Sequence, residues 1–367
     1  MKFTLKRDII QDAMQKLRSV LSNKTTIPVL AGIKVEALES CIMLTASNAS
    51  ESIVHRILPN EGSVVIEATG AAVFTKESLE VATKLSGEIT YELVDQNLNV
   101  TQGKKTSLSF TTMAADDYPK ITTDPKTQNI KLSGQRFSDL ISRTVYAVSK
   151  SDARPVLTGV NLQIGANLQA TSTDSHRLAK VTIPLEDKLE EVQVTIPGKM
   201  LDHALKAFDL ANDVFLAIEP SQIAMANGNT IYYSRLLEGT FPETDRLIPT
   251  EYQSALTVDT KEFVESLQLL ESLSSQGVVK LDVGGLFVNL EAKNETAKGR
   301  REIAYMEFTG DEGFTISFSS GYLLEALKRI DTASIKLNFC GNNRPFTVEG
   351  IEDVTDQVQL ILPVRTY

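Results

Sequence analysis

Few residues of this chain are of the types that catalyse reactions or bind metals, and they are widely separated. The 367 residues include three histidines and two cysteines, at His55, His176, His203, Cys41 and Cys340. Each histidine stands alone, so no HExxH pattern is present, and two cysteines are too few for a disulfide framework or a cysteine-built zinc site. We therefore expect no metal and no cofactor, and interpret both cysteines as small buried apolar residues in a reducing compartment.

One short cluster has the residue types of a hydrolase: Asp174, Ser175 and His176 supply a carboxylate, a hydroxyl and an imidazole in succession. Consecutive residues of a strand point to opposite faces, so Ser175 and His176 would not readily form a nucleophile and base pair. Glycine-rich phosphate loops, a GxSxG elbow and a dinucleotide-binding GxGxxG motif are missing as well. We expect a protein that acts by binding and has no catalytic activity.

Length and composition indicate a globular protein of two or three domains. The chain of 367 residues is more than twice the usual domain of about 150 residues, with 42% hydrophobic and 23% charged residues. The N-terminus lacks the uninterrupted apolar stretch of a secretory signal, and long apolar runs are absent, so we expect a cytoplasmic protein with no membrane partner. The net charge of −10 argues against a basic nucleic-acid groove.

Three segments of about 120 residues each repeat the same order of sequence signals. Each segment begins with a short strand and an amphipathic helix, continues with alternating apolar and polar strands, and then repeats this order, which predicts two βαβββ halves. Proline-containing stretches separate the segments, so we place the domains at residues 1–126, 127–250 and 251–367. The predicted fold class is α+β, with antiparallel sheets on one side and helices on the other.

The first helix of each segment has one apolar face. The residues at helical spacing are Ile10, Met14, Leu17 and Leu21, then Phe137, Leu140, Ile141 and Val145, and finally Phe263, Leu267 and Leu270. A compact domain of this size is roughly 35 Å across, so six in a hexagon leave a hole of about that width, which exceeds the roughly 16 Å of the two groove depths of a B-form duplex. Two chains could therefore enclose DNA, although an open row of domains that binds proteins uses the same residues.

Four runs of the sequence resemble the bacterial DNA polymerase III β subunits, the family of sliding clamps. They are KTTIPVLAG at residues 24–32, TSTDSHRLAKVTIP at 171–184, SRLLEGTFPETDRLIP at 234–249 and LPVR at 362–365. The similarity extends over essentially the whole chain. It implies a homodimeric ring of six similar domains around double-stranded DNA, with helices facing the bore, that tethers DNA polymerase and has no catalytic activity of its own.

The resemblance implies weak, mobile contacts between basic helix residues and the duplex. The candidates are Lys6, Arg7, Lys16, Arg18 and Lys24 in the first segment, Arg136, Arg143, Lys150, Lys199 and Lys206 in the second, and Lys328 and Arg329 in the third. For any single one of them, a solvated helix face is an equally good interpretation. The first helix of the third segment carries Glu262, Glu265 and Glu271, so we expect no phosphate contact there.

The resemblance also implies a cleft between the second and third domains that binds short peptides of partner proteins. These partners would be the DNA polymerase III catalytic subunit, the clamp loader, other polymerases and mismatch-repair proteins. The matching residues are Thr173, Ser175, His176, Arg177, Leu178, Pro242, Arg246, Leu247, Leu360, Leu362, Pro363, Val364 and Arg365. The leucines would supply apolar pockets and the charged residues a polar rim, although Leu178, Leu247 and Leu360 in isolation would be interpreted as core.

Two further expectations concern the chain end and the subunit contact. Where many family members carry methionines beside the terminal proline, this chain has Leu362 and Val364, whose stiffer side chains should narrow the range of peptides bound. For the homodimer, the first domain of one chain should extend a sheet of the third domain of the other. The candidates are Leu108 and Phe110 on one side and Leu270 and Leu273 on the other, any of which could instead be core.

Overall fold

The structure is a computed structural model that describes residues 1–21, 25, 27–48, 50–59, 64–121, 129–185, 188–274, 277–311 and 313–365. Within these ranges the chain forms strands β1 to β26 and helices α1 to α6. Short 3-10 turns lie at Pro28–Ala31, Ala115–Asp117, Val145–Ala147, Pro155–Thr158 and Asp245–Leu247.

The elements are given by segment. The first has β1 (Lys2–Lys6), α1 (Arg7–Leu17), β2 (Ile33–Ala37), β3 (Ile42–Ser47), β4 (Glu51–Ile57), β5 (Val64–Ala68), β6 (Gly70–Phe74), α2 (Lys76–Ala82), β7 (Glu88–Val94), β8 (Asn97–Gln102) and β9 (Thr106–Thr111). The second has β10 (Asn129–Leu132), α3 (Gly134–Ser142), β11 (Gly159–Ile164), β12 (Asn167–Thr173), β13 (Arg177–Pro184), β14 (Val192–Pro197), α4 (Gly198–Ala207), β15 (Val214–Ile218), β16 (Gln222–Asn227) and β17 (Thr230–Arg235). The third has β18 (Ser254–Asp259), α5 (Thr260–Glu271), β19 (Val278–Gly284), β20 (Phe287–Lys293), β21 (Lys298–Ala304), β22 (Glu307–Thr309), β23 (Thr315–Ser319), α6 (Ser320–Leu327), β24 (Ser334–Phe339), β25 (Phe346–Gly350) and β26 (Asp356–Ile361).

The predicted βαβββ order is confirmed in the six halves of the described chain, with β6 and β22 as additional strands. Strand β5 pairs with β1, whereas β6 pairs with β2 of a different sheet, so the chain changes sheets between them. Gly70 lies at this crossing with a φ of 155°, and a Cβ there would come within 2.8 Å of the Met1 side chain. Only glycine fits this position without displacing its neighbour.

The described chain divides into two compact units, which the four sheets respect. Residues Met1–Ser138 and Lys199–Leu236 form the first unit, and Asp139–Gly198 and the chain from Leu237 onward form the second. The first unit contains a five-stranded sheet, in the order β5-β1-β7-β8-β9, and an eight-stranded sheet, in the order β10-β15-β16-β17-β4-β3-β2-β6. The second contains a nine-stranded sheet, β14-β11-β12-β13-β26-β25-β24-β18-β22, and a four-stranded sheet, β21-β20-β19-β23.

Two strand pairs join one sequence segment to the next. Strand β17 of the second segment pairs with β4 of the first, and β13 of the second pairs with β26 of the third. The large sheets therefore run across the segment boundaries, which is why the two compact units do not coincide with three segments. The boundary predicted near residue 126 lies outside the described residues, and the one near residue 250 lies between a 3-10 turn and β18.

Helices α1, α5 and α6 pack their apolar faces against neighbouring strands. In α5, Phe263, Leu267 and Leu270 are each at most 1% exposed, and the Asp259 side chain caps the helix by accepting a hydrogen bond from the Glu262 N–H at 2.8 Å. The assignment of Leu270 to a subunit interface is therefore corrected: its side chain belongs to the core of the third segment. The helical spacing of these apolar residues correctly identified the buried face of α5.

The expectation that both cysteines are small buried residues has a direct counterpart in the fold. Cys41 and Cys340 are unpaired and each 8% exposed, as expected of small apolar residues. Among the helices of the described ranges, none combines the length and apolar character required to cross a bilayer.

Truncation of Leu270 to alanine should destabilise the third segment because it opens a cavity in the core. Such a substitution costs about 2–5 kcal/mol, which should lower the thermal midpoint by about 4 °C or more. Its neighbour Leu269 is 56% exposed, so Leu269→Ala is the matched control, with an expected change within about 0.5 kcal/mol. Circular dichroism melts compare the two variants, and equal midpoints would contradict the packing described here.

Candidate functional site

Residues 174–176 form a tight turn between β12 and β13. The Asp174 Oδ1 atom accepts hydrogen bonds from the N–H groups of His176 at 2.9 Å and Arg177 at 3.1 Å. The Thr173 hydroxyl donates to the Arg177 carbonyl at 2.6 Å and accepts from the Ser175 N–H at 3.1 Å. Ser175 itself has a φ of 76°, a conformation that is uncommon for residues other than glycine. The premise that these residues continue a strand was therefore wrong.

The turn argues against the hydrolase interpretation, but the reason is the pairing of Asp174 and not the expected alternation of strand faces. The Asp174 carboxylate faces Arg177, whose Nε donates to Asp174 Oδ2 at 3.1 Å, so it does not orient the His176 ring as a base. His176 and Ser175 are both exposed at the tip of the turn. Among the described residues no group of three or more His, Cys, Asp or Glu side chains could hold a metal ion.

Arg177 is enclosed, with only 3% of its surface exposed. Its guanidinium donates to Asp174, to Glu325 of α6 and to the Tyr146 carbonyl at 2.8 Å. The rings of Tyr146 and Tyr322 lie 5.1 and 4.6 Å from the guanidinium carbon. The prediction that Arg177 belongs to the polar rim is therefore corrected: with three hydrogen bonds and two rings against its guanidinium, it lies beneath the surface and supports it.

The exposed surface beside this arginine consists of two stacked rings. The His176 imidazole lies 6.1 Å from the Tyr322 ring at an interplanar angle of 19°. Tyr322 is in the first turn of α6, which the Ser319 hydroxyl caps by accepting from the Tyr322 N–H at 3.4 Å. The pKa of Tyr322 is raised, mainly by burial and secondly by the nearby Asp174 carboxylate. Sequence reasoning missed Tyr146, Tyr322 and Glu325, because nothing in their local sequence links them to residues 173–178.

The segment after β26 lies against the same turn. The N–H of Leu362 donates to the His176 carbonyl at 2.9 Å, and the N–H of Val364 donates to the Ser317 carbonyl at 2.7 Å. Pro363 forms an isolated bridge with Phe318 of β23. Leu362 is 36% exposed, Arg365 is exposed, and Pro363 and Val364 are half-buried. The structure thus brings residues 173–178 and 360–365 together, as predicted.

Two of the predicted lining leucines lie beneath this surface. Leu178 and Leu360 are opposite each other in the β13–β26 pair and are 1% and 2% exposed. Thr173 is likewise buried, at 7%. The expectation that these leucines offer apolar pockets to a peptide is corrected, because side chains so buried offer almost no contact surface. They form the floor on which the exposed residues lie.

The third predicted region, residues 242–247, is tied to β13 by one ion pair. The Lys180 Nζ donates to Asp245 Oδ1 at 2.8 Å, which holds the 3-10 turn that contains Leu247. Leu247 is 55% exposed, and Pro242 is exposed too. Arg246 pairs with Glu243 at 3.2 Å, with 85% and 77% of the two side chains exposed. Pro242, Leu247 and Leu362 are therefore the exposed apolar residues of the predicted set.

The predicted DNA contacts differ in how far their charges are already paired. Arg7 pairs with Asp8 at 3.0 Å, and Lys16 pairs with Asp12 at 2.5 Å. Within the described part of the chain, the exposed candidates that form no ion pair are Lys6, Arg18, Arg136, Lys150, Lys199, Lys206 and Lys328. Lys24 lies outside the described residues. Paired cations bind phosphate more weakly, because the carboxylate must be displaced first.

Two arginines of that set are enclosed. The Arg143 side chain is 14% exposed and pairs with Asp353 at 3.2 Å and Asp139 at 3.6 Å, so its assignment as a DNA contact is corrected. These contacts also hold the pKa of Asp353 below its usual value: burial opposes the shift, but the Thr355 backbone N–H and Arg143 outweigh it. Arg329 lies over the Tyr146 ring at 5.8 Å, and its Nε is buried.

The remaining candidates for the subunit contact lie at sheet edges. Strand β9 is the last strand of the five-stranded sheet, and its Leu108 and Phe110 are half-buried. Leu273 follows α5 and packs over Gly299 of β21, where a Cβ would come within 2.4 Å of the leucine methyl group. Strand β21 is in turn the last strand of the four-stranded sheet. Such open edges invite pairing with another chain.

A polar groove of the first unit surrounds His55 of β4. The imidazole is 7% exposed, and its Nδ1 lies 3.0 Å from the Thr230 hydroxyl. Lys16 and Asp12 of α1 line the same groove. Burial, assisted by the Lys16 charge and opposed by Asp12, lowers the pKa of His55 from 6.5 to about 4. The folded protein therefore keeps this ring neutral at neutral pH.

Comparison with protein families gives three matches that together span nearly the whole chain. They are the DNA polymerase III beta subunit N-terminal domain at residues 1–122, the central domain at 131–243 and the C-terminal domain at 245–365. The description is the same protein in each case. The three matches follow one another in the order of the three sequence segments.

Similar proteins and structures carry a consistent description. A beta sliding clamp of Bacillus subtilis is 35% identical over 383 aligned positions that cover 100% of both chains. A beta sliding clamp of Staphylococcus epidermidis is 34% identical over 379 positions, again covering 100% of both. The crystal structure of the B. subtilis DNA polymerase sliding clamp superposes with a TM-score of 0.95 at 34% identity and full coverage of both chains.

The buried neutral His55 should make stability depend on pH. Its pKa is about 4 in the folded state and 6.5 ordinarily, so the unfolded chain binds the proton more readily. The contribution of this ring is fully present above pH 6.5 and is lost as the pH falls toward 4, by about 3 kcal/mol in all. His55→Asn should flatten the acid limb of thermal midpoints measured between pH 7 and 4.5. His176→Asn, at an exposed ring, is the control, and identical acid limbs for His55→Asn and wild type would contradict the burial argument.

Proposed function

This chain belongs to the DNA polymerase III beta subunit family and is a DNA sliding clamp, and we propose that it works as a homodimeric ring that encloses double-stranded DNA. In this proposal two chains supply six similar domains, and a polymerase bound to the ring stays close to the primer end. The gain is one of effective concentration, since the tether replaces a bimolecular encounter by a local one. The clamp acts as an accessory subunit in the cytoplasm, without catalytic activity of its own.

The observation that carries this proposal is the sixfold repetition of the βαβββ unit along the described chain. At roughly 35 Å per domain, three domains in a closed triangle leave almost no central hole, whereas six leave a hole of roughly 35 Å. The domain division at residues 126 and 250 is part of the proposal. Support for it comes from the family matches at residues 1–122, 131–243 and 245–365.

Enclosure reconciles DNA binding with a net charge of −10. A topologically held protein needs contacts that form and break easily, and a tight basic groove would hinder sliding. Carboxylate partners at Arg7 and Lys16 fit such weak contacts. We propose Arg7, Lys16, Arg18, Lys24 and Arg136, with Lys150, Lys199 and Lys206, as the residues that meet the phosphates in passing. The strength of these contacts should fall with added salt.

For ring closure we propose that the open edge of β9 pairs with the open edge of β21 of the partner subunit. Backbone hydrogen bonds across the two edges would extend one sheet through the interface, and two-fold symmetry would repeat this contact on the opposite side. Leu108 and Phe110 on β9, and Leu273 over β21, are the apolar residues available beside these edges. Self-association would also protect both edges from uncontrolled pairing.

The test of enclosure is retention on DNA of different topology. Loaded by the clamp loader onto nicked circular DNA, the wild type should stay bound during gel filtration and should be lost once the circle is cut. Phe110→Asp places a charge at the proposed contact and should give a monomer by light scattering and no retention on circles. Val94→Asp, at a 51% exposed position of the same sheet, is the control and should behave like wild type. A monomeric wild type, or equal retention on circular and linear DNA, would overturn the ring.

The second part of the proposal concerns partner proteins. We propose that the surface formed by the 174–176 turn, Tyr322, Leu247 and the 362–365 segment, here called the peptide pocket, binds short peptides of the polymerase III catalytic subunit, the clamp loader, other polymerases and mismatch-repair proteins. Its anchors are the exposed Leu247 and Leu362, and its polar groups are His176, Arg246 and Arg365. This arrangement, a few apolar anchors with a polar rim, is typical of peptide recognition.

Charged substitutions in the peptide pocket should separate partner binding from assembly. Leu247→Asp and Leu362→Asp remove the exposed anchors, and each should weaken binding of the polymerase III catalytic subunit by about tenfold or more, a loss of about 1.4 kcal/mol per tenfold. The dimer should remain intact by light scattering. Leu210→Asp, 38% exposed in the other compact unit, is the control. Biolayer interferometry measures the affinity for the catalytic subunit. Unchanged affinity in both pocket variants would refute the assignment.

A further inference from the structure

Five side chains of the second compact unit form a column of alternating rings and cations. In order they are His176, Tyr322, Arg177, Tyr146 and Arg329. The His176 and Tyr322 rings are 6.1 Å apart, and the Arg177 guanidinium carbon lies 4.6 Å from the Tyr322 ring and 5.1 Å from the Tyr146 ring. The Arg329 guanidinium carbon lies 5.8 Å from the centre of the Tyr146 ring. The column runs from an exposed ring at the peptide pocket to a half-buried arginine.

The middle of the column cannot touch a bound peptide. Arg177 is 3% exposed; its guanidinium lies against the Tyr146 and Tyr322 rings and donates hydrogen bonds to Asp174, Glu325 and the Tyr146 carbonyl. Any influence of Arg177 on a peptide must therefore pass through the groups that it holds. Those groups are the Asp174 carboxylate of the turn, the Glu325 carboxylate of α6, and Tyr146 and Tyr322.

Within the column, Tyr146 also contacts strand β26, which leads into the 362–365 segment of the pocket. Its hydroxyl donates to the Gln359 side chain of β26, while its carbonyl accepts from Arg177. Gln359 is fully buried, and its Nε2 donates to the Arg143 carbonyl at 3.3 Å and to Gln357 Oε1 at 2.9 Å. Strand β26 ends at Ile361, directly before the 362–365 segment. Tyr146 thus contacts both Arg177, which holds the 174–176 turn, and Gln359, which lies on the strand before the 362–365 segment.

The column and its polar supports are a costly way to fill a core. An enclosed arginine with two carboxylates loses its hydration, and apolar side chains of similar volume are often as stable or more so. What planar stacking and directional hydrogen bonds add is a fixed orientation of each ring. The ring whose orientation matters outside the core is Tyr322, since it is half-buried and stacks with the exposed His176 ring of the pocket.

We propose that Tyr146 and Gln359 are positioning residues for the peptide pocket: Gln359 holds the Tyr146 hydroxyl, and Tyr146 holds Arg177, and through it Tyr322 and the turn, in the orientation that binds a partner peptide. This inference rests on the proposed function of the pocket, and it adds residues that no peptide touches. Because positioning sets how much ordering remains to be done on binding, its loss weakens affinity without removing any contact. The effect of Tyr146 is exerted through Tyr322.

The test compares Tyr146→Leu, which removes the ring, with Tyr146→Phe, which keeps the ring and loses only the hydroxyl. With the polymerase III catalytic subunit as the probe in biolayer interferometry, Tyr146→Leu should weaken binding about tenfold, and Tyr146→Phe should remain within about threefold of wild type. Tyr91→Leu, at a buried tyrosine of the other compact unit, is matched for loss of stability. It should lower the thermal midpoint with no change in affinity.

Action through Tyr322 is tested by a double-mutant cycle. If Tyr146 works by orienting Tyr322, then Tyr146→Leu should have little further effect on affinity in a Tyr322→Leu background. Additive losses would overturn this route. Affinity of Tyr146→Leu equal to that of wild type, with a midpoint lowered as in Tyr91→Leu, would overturn the positioning role and leave Tyr146 as core.

A spectroscopic measurement separates failure of this inference from failure of the proposed function. The chain has three histidines, so carbon-13 labelling of the imidazoles gives a simple spectrum, in which His176→Asn assigns the His176 signal. Tyr146→Leu should shift this signal, because the Tyr322 ring below it turns, while the signals of His55 and His203 stay in place. A wild type that does not bind the polymerase refutes the pocket function, whereas an unmoved His176 signal refutes the positioning of Tyr322.

Discussion

The interaction on which the rest of this structure depends is the unbroken backbone pairing of strands from different sequence segments. Where β17 pairs with β4, and where β13 pairs with β26, the sheet continues across a segment boundary with the same antiparallel hydrogen bonds as within a segment. A flexible linker would leave these N–H and C=O groups to water, and the segments could then move independently. The second pair has a functional consequence, because it fixes Leu178 opposite Leu360 and so places the turn beside the chain end.

The order of elements could be predicted from sequence because each element has one buried face. Apolar residues at helical spacing identified α1, α3 and α5, and two-residue alternation identified strands such as β20, where Val288, Leu290 and Ala292 are buried. Failures came where tertiary context decides. Residues 174–176 were expected to continue strand β12, yet the Asp174 carboxylate accepts the N–H groups of His176 and Arg177 and the chain turns. Leu270 has helical spacing whether it faces a core or a partner, so spacing could not distinguish the two.

The site was predicted less completely, for a related reason. Resemblance transfers positions from one chain to another but says nothing about exposure, so Arg177, Leu178 and Leu360 were expected on the surface and lie beneath it. The residues that support them, Tyr146, Tyr322 and Glu325, come from parts of the chain distant in sequence. Their spacing along the chain carries no record of contacts that exist only because β13 lies beside β26. Leu247 and Leu362, by contrast, are exposed as the resemblance implied.

The proposed peptide pocket has one side held in place by stacked rings around Arg177 and another side formed by a few apolar residues. The enclosed Arg177 and its stacked rings leave the Tyr322 face little freedom, and Leu362 and Val364 have fewer rotatable bonds than the methionines that many family members carry there. Preorganised surfaces lose less entropy on binding, so affinity for a peptide of fitting shape can be high although few residues are exposed. The same stiffness prevents the pocket from adapting to peptides of other shapes, as flexible thioether side chains would allow. In the proposed peptide pocket, selectivity among partner peptides would thus follow from the burial of a charge that none of them touches.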